Sequence, residues 1–318
     1  MKGQLLIDGI DIYAVYGVCT IKGSYDNLVA FPPMKELDKN DWPEEDGQEF
    51  DLSNPALNTS EVSLEFAFKD DLGFGALIDI LSDMGYHDFL FPLLGRTYRL
   101  RLSSQNSYSI YQHVEIAKIT FSNDFPRESD YIYQEPINSI PLPKGYEIDD
   151  KDLSDYGIAI LKGSNAEILK ASAIKKNLLQ NFKYQDGAVY DGEYVKFQTK
   201  EVALKCLMST PDVSTFWRNR DAFLHDLTKL SAKTDEEGYE YLDAERIFYC
   251  EEFFEHYPCY YKNCKTTNFI LMNGGVWWEF TLKLVFTGFR TKETDYMLAA
   301  ESGELIITEN NEYYIELI

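Results

Sequence analysis

The chain carries the same stretch twice, and that repetition constrains its fold more than any other feature. Tyr16-Gly17-Val18-Cys19-Thr20-Ile21-Lys22-Gly23-Ser24 returns as Tyr156-Gly157-Ile158-Ala159-Ile160-Leu161-Lys162-Gly163-Ser164, with five of nine positions identical and two more exchanging aliphatic residues. The offset of 140 holds without a gap: Trp42 falls on Phe182, Asp46-Gly47 on Asp186-Gly187, Phe50-Asp51 on Tyr190-Asp191 and Glu61-Val62-Ser63-Leu64 on Glu201-Val202-Ala203-Leu204. One inserted residue upstream also aligns Ile7-Asp8 with Ile148-Asp149 and Asp11-Ile12 with Asp152-Leu153. A register kept over that distance implies two copies of one domain.

Residues 1–125 form the first expected copy and 146–290 the second. Between them, residues 126–145 contain Pro126, Pro136, Pro141 and Pro143, which no central strand accommodates, so this segment is expected to be a linker. Leu305–Thr308 and Tyr313–Leu317 flank a polar turn, and residues 291–318 are expected to end the chain as a β-hairpin.

The repeat also decides how to read Asn40–Leu52, NDWPEEDGQEFDL, whose clustered carboxylates would suit a hard cation or paired catalytic acids. The second copy keeps Asp186-Gly187 and Asp191 but replaces Glu44-Glu45 by Tyr184-Gln185 and Glu49 by Val189. What survives is turn chemistry, since Asp-Gly supplies a side-chain cap and a positive-φ residue.

Tyr and Phe number 23 and 20, a composition that suits half-buried pleated sheets. Glu61–Phe68 alternates, with Val62, Leu64, Phe66 and Phe68 predicted on one face. The Tyr-Gly-Val/Ile segments are predicted strands whose glycine marks a bulge or a close approach. Helices are predicted at Gly75–Leu81 and Ser214–Leu230, the second with Trp217, Phe223, Leu224, Leu227 and Leu230 largely on one face. Ala166–Leu179 has helical composition, but its counterpart contains Pro32-Pro33, so at most a short helical turn is expected there. Late in each copy, Tyr108–Tyr111 is matched to Tyr257–Tyr260 and Ile119–Ser122 to Leu284–Thr287. Asn273-Gly274 between two apolar runs predicts a long hairpin. The expected class is mainly β (α+β): two tandem β-sandwich or barrel-like domains, each with one flanking helix and a long hairpin.

The formal charge is −23, from 53 acidic and 30 basic residues, which argues against a protein that grips nucleic acid by neutralising phosphates. The charge is uneven: residues 1–125 hold 20 acidic and 9 basic residues, whereas 146–290 hold 23 and 18. Five cysteines, an odd number, and no apolar leader suggest a reduced, cytosolic setting, and no apolar run approaches the roughly 18 residues that would span a bilayer.

Candidate sites are few. Cys250, His256, Cys259 and Cys264 offer ligand types that suit zinc, but the C-x5-H-x2-C-x4-C spacing matches no common zinc module and the first copy has no counterpart, so no metal is expected. The four histidines, His87, His113, His225 and His256, accompany no G-x-S-x-G or HExxH pattern, and Gly73-Phe74-Gly75 lacks the third glycine of a dinucleotide loop. Trp277-Trp278 is read as core or interface, with sugar stacking as the alternative. Lys22-Gly23-Ser24 and its repeat are read as strand ends rather than phosphate loops. No catalytic residue and no cofactor are expected.

Asp-Gly near the start, then Tyr-Gly-Val-x-x-x-Lys-Gly-Ser, then Asn-Asp-Trp-Pro-Glu-Glu-Asp-Gly-x-Glu-x-Asp-Leu together resemble bacteriophage tail proteins, of the tail-tube and distal-tail (baseplate) kind carried in prophages. The resemblance covers residues 5–68 best and residues 148–208 more weakly. It implies a structural virion protein, not an enzyme, that forms a ring around a lumen through which DNA passes. It also implies other tail proteins as partners, no specific DNA binding and no membrane. The protein would be cytoplasmic during assembly and then part of the tail. A tube subunit of that kind carries one such domain and this chain two, so three chains could mimic a six-fold ring or six could form a double layer. A carbohydrate- or ligand-binding β-sandwich module, with Trp277-Trp278 or the Asp46 turn at its site, is the alternative.

Overall fold

The computed structural model describes residues 3–21, 25–68, 71–83, 85–111, 114–127, 131–175, 179–190, 195–234, 238–272, 275–288, 296–297 and 316–317. The first half runs β1 (Leu6–Ile7), β2 (Ile10–Asp11), α1 (Ile12–Tyr16), β3 (Cys19–Thr20), α2 (Asp26–Val29), β4 (Lys39–Asn40), β5 (Glu49–Phe50), β6 (Ser60–Phe68), α3 (Asp71–Asp83), β7 (His87–Phe91), β8 (Arg96–Ile110) and β9 (Glu115–Asn123). The second half runs β10 (Tyr146–Ile148), β11 (Lys151–Asp152), a 3-10 turn (Leu153–Tyr156), β12 (Ile158–Ile160), α4 (Ser164–Leu169), β13 (Lys200–Thr210) and α5 (Val213–Thr228). It continues with β14 (Ser231–Thr234), β15 (Glu240–Asp243), β16 (Arg246–Cys250), β17 (Glu255–Met272) and β18 (Gly275–Phe286).

Each half builds one antiparallel seven-stranded sheet, ordered β2-β1-β7-β8-β9-β6-β3 in the first and β11-β10-β16-β17-β18-β13-β12 in the second. Renumbering turns one order into the other, so the duplication read in the sequence is a duplication of topology. The architecture is two similar helix-flanked sheets. Both sheets have free edge strands, and no closed barrel is present among the described residues.

In each sheet the longest strand serves two neighbours. β8 pairs with β7 through Arg96–Leu100 and with β9 through Arg101–Ile110, and β17 divides in the same way between β16 and β18. A register shift follows Leu102 in β8 and Tyr261 in β17, which are equivalent positions because they pair with Phe121 and Leu284 opposite Val62 and Val202. Such bulges bend and twist a strand, letting one strand serve two directions.

The alternation of Glu61–Phe68 is borne out: Val62, Leu64, Phe66 and Phe68 are all buried, as are Val202, Leu204, Cys206 and Met208 on β13. α3 closes this face with Leu77 and Leu81, and α5 with Phe216, Phe223, Leu224 and Leu227. Leu230 lies beyond the end of α5 and is exposed. The flanking helix of each copy is accompanied by short helical turns: the one expected within Ala166–Leu179 is present as the end of α4, whereas α1, α2 and the 3-10 turn are not expected from the sequence.

The Tyr-Gly segments meet expectation in part: β3 and β12 follow the glycines as strands and Gly157 lies close against β13, but the residues before each glycine are helical. Ile12–Tyr16 is helical, and Gly17 (φ 69°) is its left-handed cap rather than a bulge, while Gly157 (φ 75°) ends the 3-10 turn in the same way. The repeated aspartates upstream explain why: Asp11 accepts from the Tyr13 and Ala14 amides, and Asp152 from the Ser154 amide. Asp8 and Asp149, both at φ 49°, tie this corner to the sheet by accepting from the Asp88 and Ile247 amides.

The late repeat matches are also out of register. Phe89 pairs with Tyr98 as Phe248 pairs with Tyr257, so Tyr98, not Tyr108, is the counterpart of Tyr257. Phe121 corresponds to Leu284, two residues from the expected match. Asn273-Gly274, Lys22–Ser24, His113 and Leu305–Thr308 lie outside the described residues, but β17 and β18 pair up to Met272 and Gly275. Near the C-terminus, β19 (Tyr296–Met297) pairs with β20 (Glu316–Leu317).

The two glycine caps give a paired test. A Cβ at Gly157 would lie 2.8 Å from the Ser209 carbonyl oxygen, whereas one at Gly17 meets nothing within 4 Å. Gly17→Ala is expected to cost about 1 kcal/mol for its left-handed backbone alone, and Gly157→Ala about 2–3 kcal/mol because the cap must also move off β13. Urea unfolding of both variants checks the order.

Candidate functional site: the crossing arm

Between α2 and β6 the first copy extends an arm, residues 29–57, closed by the β4–β5 pair and by a bridge between Met34 and Leu57. The arm does not fold back on its own sheet. Leu28 is buried in the first core, but Val29, Phe31, Met34 and Leu52 are buried in the second, among residues of α5, β17 and β18. Phe31 meets Trp278 edge-on at 5.1 Å between ring centroids and also touches Phe223, Tyr261 and Phe280.

Polar groups fix the path. Arg220 on α5 is 6% exposed; its Nε donates to the Val29 carbonyl and its Nη2 to the Ala30 carbonyl, both at 2.8 Å. The same guanidinium reaches Asp221, which also receives Arg96 of β8 at 3.0 Å. Arg96 in turn lies 4.3 Å over the Trp217 ring, whose Nε1 donates to the Leu94 carbonyl. Further along, Tyr261 Oη donates to the Pro32 carbonyl, the Met34 amide to the Lys262 carbonyl and the Ala244 amide to the Leu52 carbonyl.

The acidic stretch sits at the tip of this arm. Asp41 accepts from Lys175 Nζ at 2.6 Å, and this hydrogen bond, with a second from Gln48, holds its carboxyl below the usual range. Asp46 accepts from the Phe197 amide, and the Gly47 amide donates to the Phe197 carbonyl. The stretch is a turn, as its repeat implies, and also a contact with the second copy that local sequence did not signal.

The proline-rich segment is strapped to α5. Asn219, fully buried, accepts from the Ile137 amide and donates to the Ile137 and Tyr156 carbonyls. Asp226 accepts from Tyr156 at 2.5 Å, Tyr133 at 2.9 Å and Lys229 at 3.1 Å. Burial pushes the Asp226 carboxyl up, but these hydrogen bonds outweigh it and leave the group below its ordinary value.

The remaining sequence candidates are scattered. Cys250 ends β16, Cys259 pairs with Arg246 and Cys264 with Leu282, while His256 is exposed beside Tyr249. Burial raises all three thiols, Cys264 to about 12. Among the described residues no group of three His, Cys, Asp or Glu is placed to hold a metal ion. His87 is buried against Asp8 at 2.6 Å, and His225 lies against Tyr133. Trp278 is buried, with its Nε1 donating to Thr266, and Trp277 alone of the pair reaches solvent. No helix among the described residues is long and apolar enough to cross a membrane.

No family model and no curated protein matches the chain. Among solved structures it has a weak, low-identity likeness to the Dit protein (gp 19.1) of SPP1, described as a paradigm of the hub adsorption apparatus in phages infecting Gram-positive bacteria. The identity is 10% over 89% of this chain and 98% of that one, with a TM-score of 0.28.

Two substitutions test the joint. Phe31→Ala, made in the first copy, is expected to destabilise the second unit by about 3–4 kcal/mol, because it empties a site among four aromatic rings; hydrogen exchange on β17 and β18 reads this directly. Asp226→Ala strands the buried Tyr156 hydroxyl and should cost about 2 kcal/mol at neutral pH. Because the folded carboxyl titrates lower than the unfolded one, the wild-type advantage is full above about pH 5 and shrinks as pH falls through the folded value. Unfolding free energies measured from pH 7 to pH 3 check this.

Proposed function

We propose that the chain is a non-catalytic structural component of a phage-like tail, in the tube, distal-tail or baseplate hub, and that it self-associates in a ring around a DNA-conducting lumen. Residues 1–125 and 146–290 serve as its two domains, residues 126–145 as their connection and residues 291–318 as a C-terminal hairpin. Three such chains reproduce six sheets in one ring, or six form a double layer, and other tail proteins complete the assembly. The protein is cytoplasmic until it enters the particle.

The observation that carries this reading is the arm. A unit whose core is finished by a segment of its neighbour is built for serial joining, and a duplicated unit of this kind suits a repetitive assembly better than a reaction centre. The charge supports it as well: a surface lined by the acidic first copy repels phosphates and lets DNA slide without counterion-release binding. The sequence resemblance in residues 5–68 points the same way. A sugar-binding role for Trp277-Trp278 finds no support, since Trp278 is in the core.

The test is composition of particles. Phage-like particles released by a strain expressing the chain, purified on a density gradient, are expected to contain it in fixed ratio to their other tail proteins, and antibody against it to decorate the tail. Particles that form complete tails in its absence would overturn the reading.

A further inference from the structure

The second copy has an arm of its own. Residues 169–197 repeat residues 29–57 at the same offset of 140, and at the described residues the structure repeats with them: Ile174 bridges Phe197 as Met34 bridges Leu57, and Gln180 bridges Val189 as Asn40 pairs with Glu49. The backbone hydrogen bonds match too, since the Lys175 amide donates to the Lys196 carbonyl as the Lys35 amide donates to the Ala56 carbonyl.

The surroundings of the two arms are opposite. Val29 and Met34 are 0% and 9% exposed, whereas their counterparts Leu169 and Ile174 are 64% and 52% exposed. Phe182, Tyr184 and Val189, at the tip of the second arm, are exposed as well. The surface that would receive this arm is also open. The first arm crosses β17 at Lys262, and the equivalent stretch of β8, Ser103–Ser107, is exposed. At the arm's base, Lys175 is 5% exposed because the first arm's tip covers it, while its counterpart Lys35 is exposed. Among the described residues, one chain therefore holds a donor arm seated on an acceptor and, separately, an exposed donor arm and an exposed acceptor face.

We propose that the second arm crosses onto the first unit of another copy of this chain, as the first arm crosses onto the second unit within it. Leu169 and Ile174 lie against β8 beside Leu102 and Ser103 of the receiving copy. The tip residues Asn181 and Asp186, counterparts of Asp41 and Asp46, face its Lys35 and the Leu57 amide. Charge favours this pairing: residues 169–197 carry 5 basic and 3 acidic residues, whereas residues 29–57 carry 2 and 8, so a basic arm meets an acidic unit.

The intermolecular joint is also built to be weaker. Ala171 stands where the first arm has Phe31, and the positions of Trp278 and Phe280 correspond to Glu115 and Ala117 by sheet register. The aromatic plug is thus reserved for the joint made within the chain, where tethering already supplies a high effective concentration. The joint between chains depends on concentration and salt. Because it is head-to-tail, it produces a closed ring or an open filament and not an isologous dimer.

This deepens the tail reading by naming the self-association surfaces, and its test uses purified chains alone. A donor variant, Leu169→Asp with Ile174→Asp, keeps the acceptor face, and an acceptor variant, Lys35→Glu with Ser103→Arg, keeps the arm. Circular dichroism and thermal unfolding show whether each remains folded, which these exposed positions predict. By sedimentation velocity at low salt, the wild type is expected to associate beyond a dimer, each variant alone to remain at the 36.8 kDa monomer, and their equimolar mixture to stop at a dimer. Variants that associate as the wild type does, a mixture that stays monomeric, or a wild type that stays monomeric to millimolar concentration would each overturn the proposal. A chain that assembles in this way yet is absent from particles retracts the tail reading alone. A chain found in particles whose variants still assemble retracts the arm alone.

Discussion

The Arg220 fork is the constraint on which the arrangement turns. Two backbone carbonyls in sequence, buried Val29 and half-buried Ala30, leave the end of α2 at the entrance to the second core, where unpaired carbonyls would be costly. A buried guanidinium with two donors in fixed geometry satisfies both, while Asp221 balances its charge. Phe31 follows immediately, and holding those carbonyls fixes the path along which its ring enters the second core. Arg96 on the first sheet shares the same carboxylate, so the salt-bridge cluster locks the crossing point and the two sheets together.

Much of this was legible in the sequence, and what was missed has physical reasons. The offset of 140 carried through sheet, helix and arm because no insertion interrupts residues 16–68 and 156–208, and the alternation of Glu61–Phe68 declared its buried face. Past the helices the copies differ in length, and β17 exceeds β8 by three residues. Matching by composition there put Tyr108 where Tyr98 belongs. Ile12–Tyr16 escaped because five residues make too short a helix to show a period, although Asp11 and Asp152 at both starts were readable as caps.

The destination of the arm was the least legible feature. Nothing local distinguishes a loop that folds back from one that crosses to a neighbour, because both need apolar side chains at the same places. The signal lay in the comparison of copies: Phe31 against Ala171, and an acid-rich arm against a lysine-bearing one. Two copies under the same local constraint would keep the same residues. Their divergence at the contact positions, with the turn residues preserved, matches the burial of one arm and the exposure of the other.

The same logic shows how the carboxylates at the joint are used. Asp41 and Asp46 are spent on Lys175 and the Phe197 amide, Asp221 on two arginines, and Asp226 on two tyrosines and a lysine. Each holds one part of the chain against another, and two of the four bridge the copies through the arm itself. Asp41 and Asp226 are held below the ordinary carboxylate range by the hydrogen bonds they accept, the opposite of what a general acid needs. Electrostatics here position one repeat on the next.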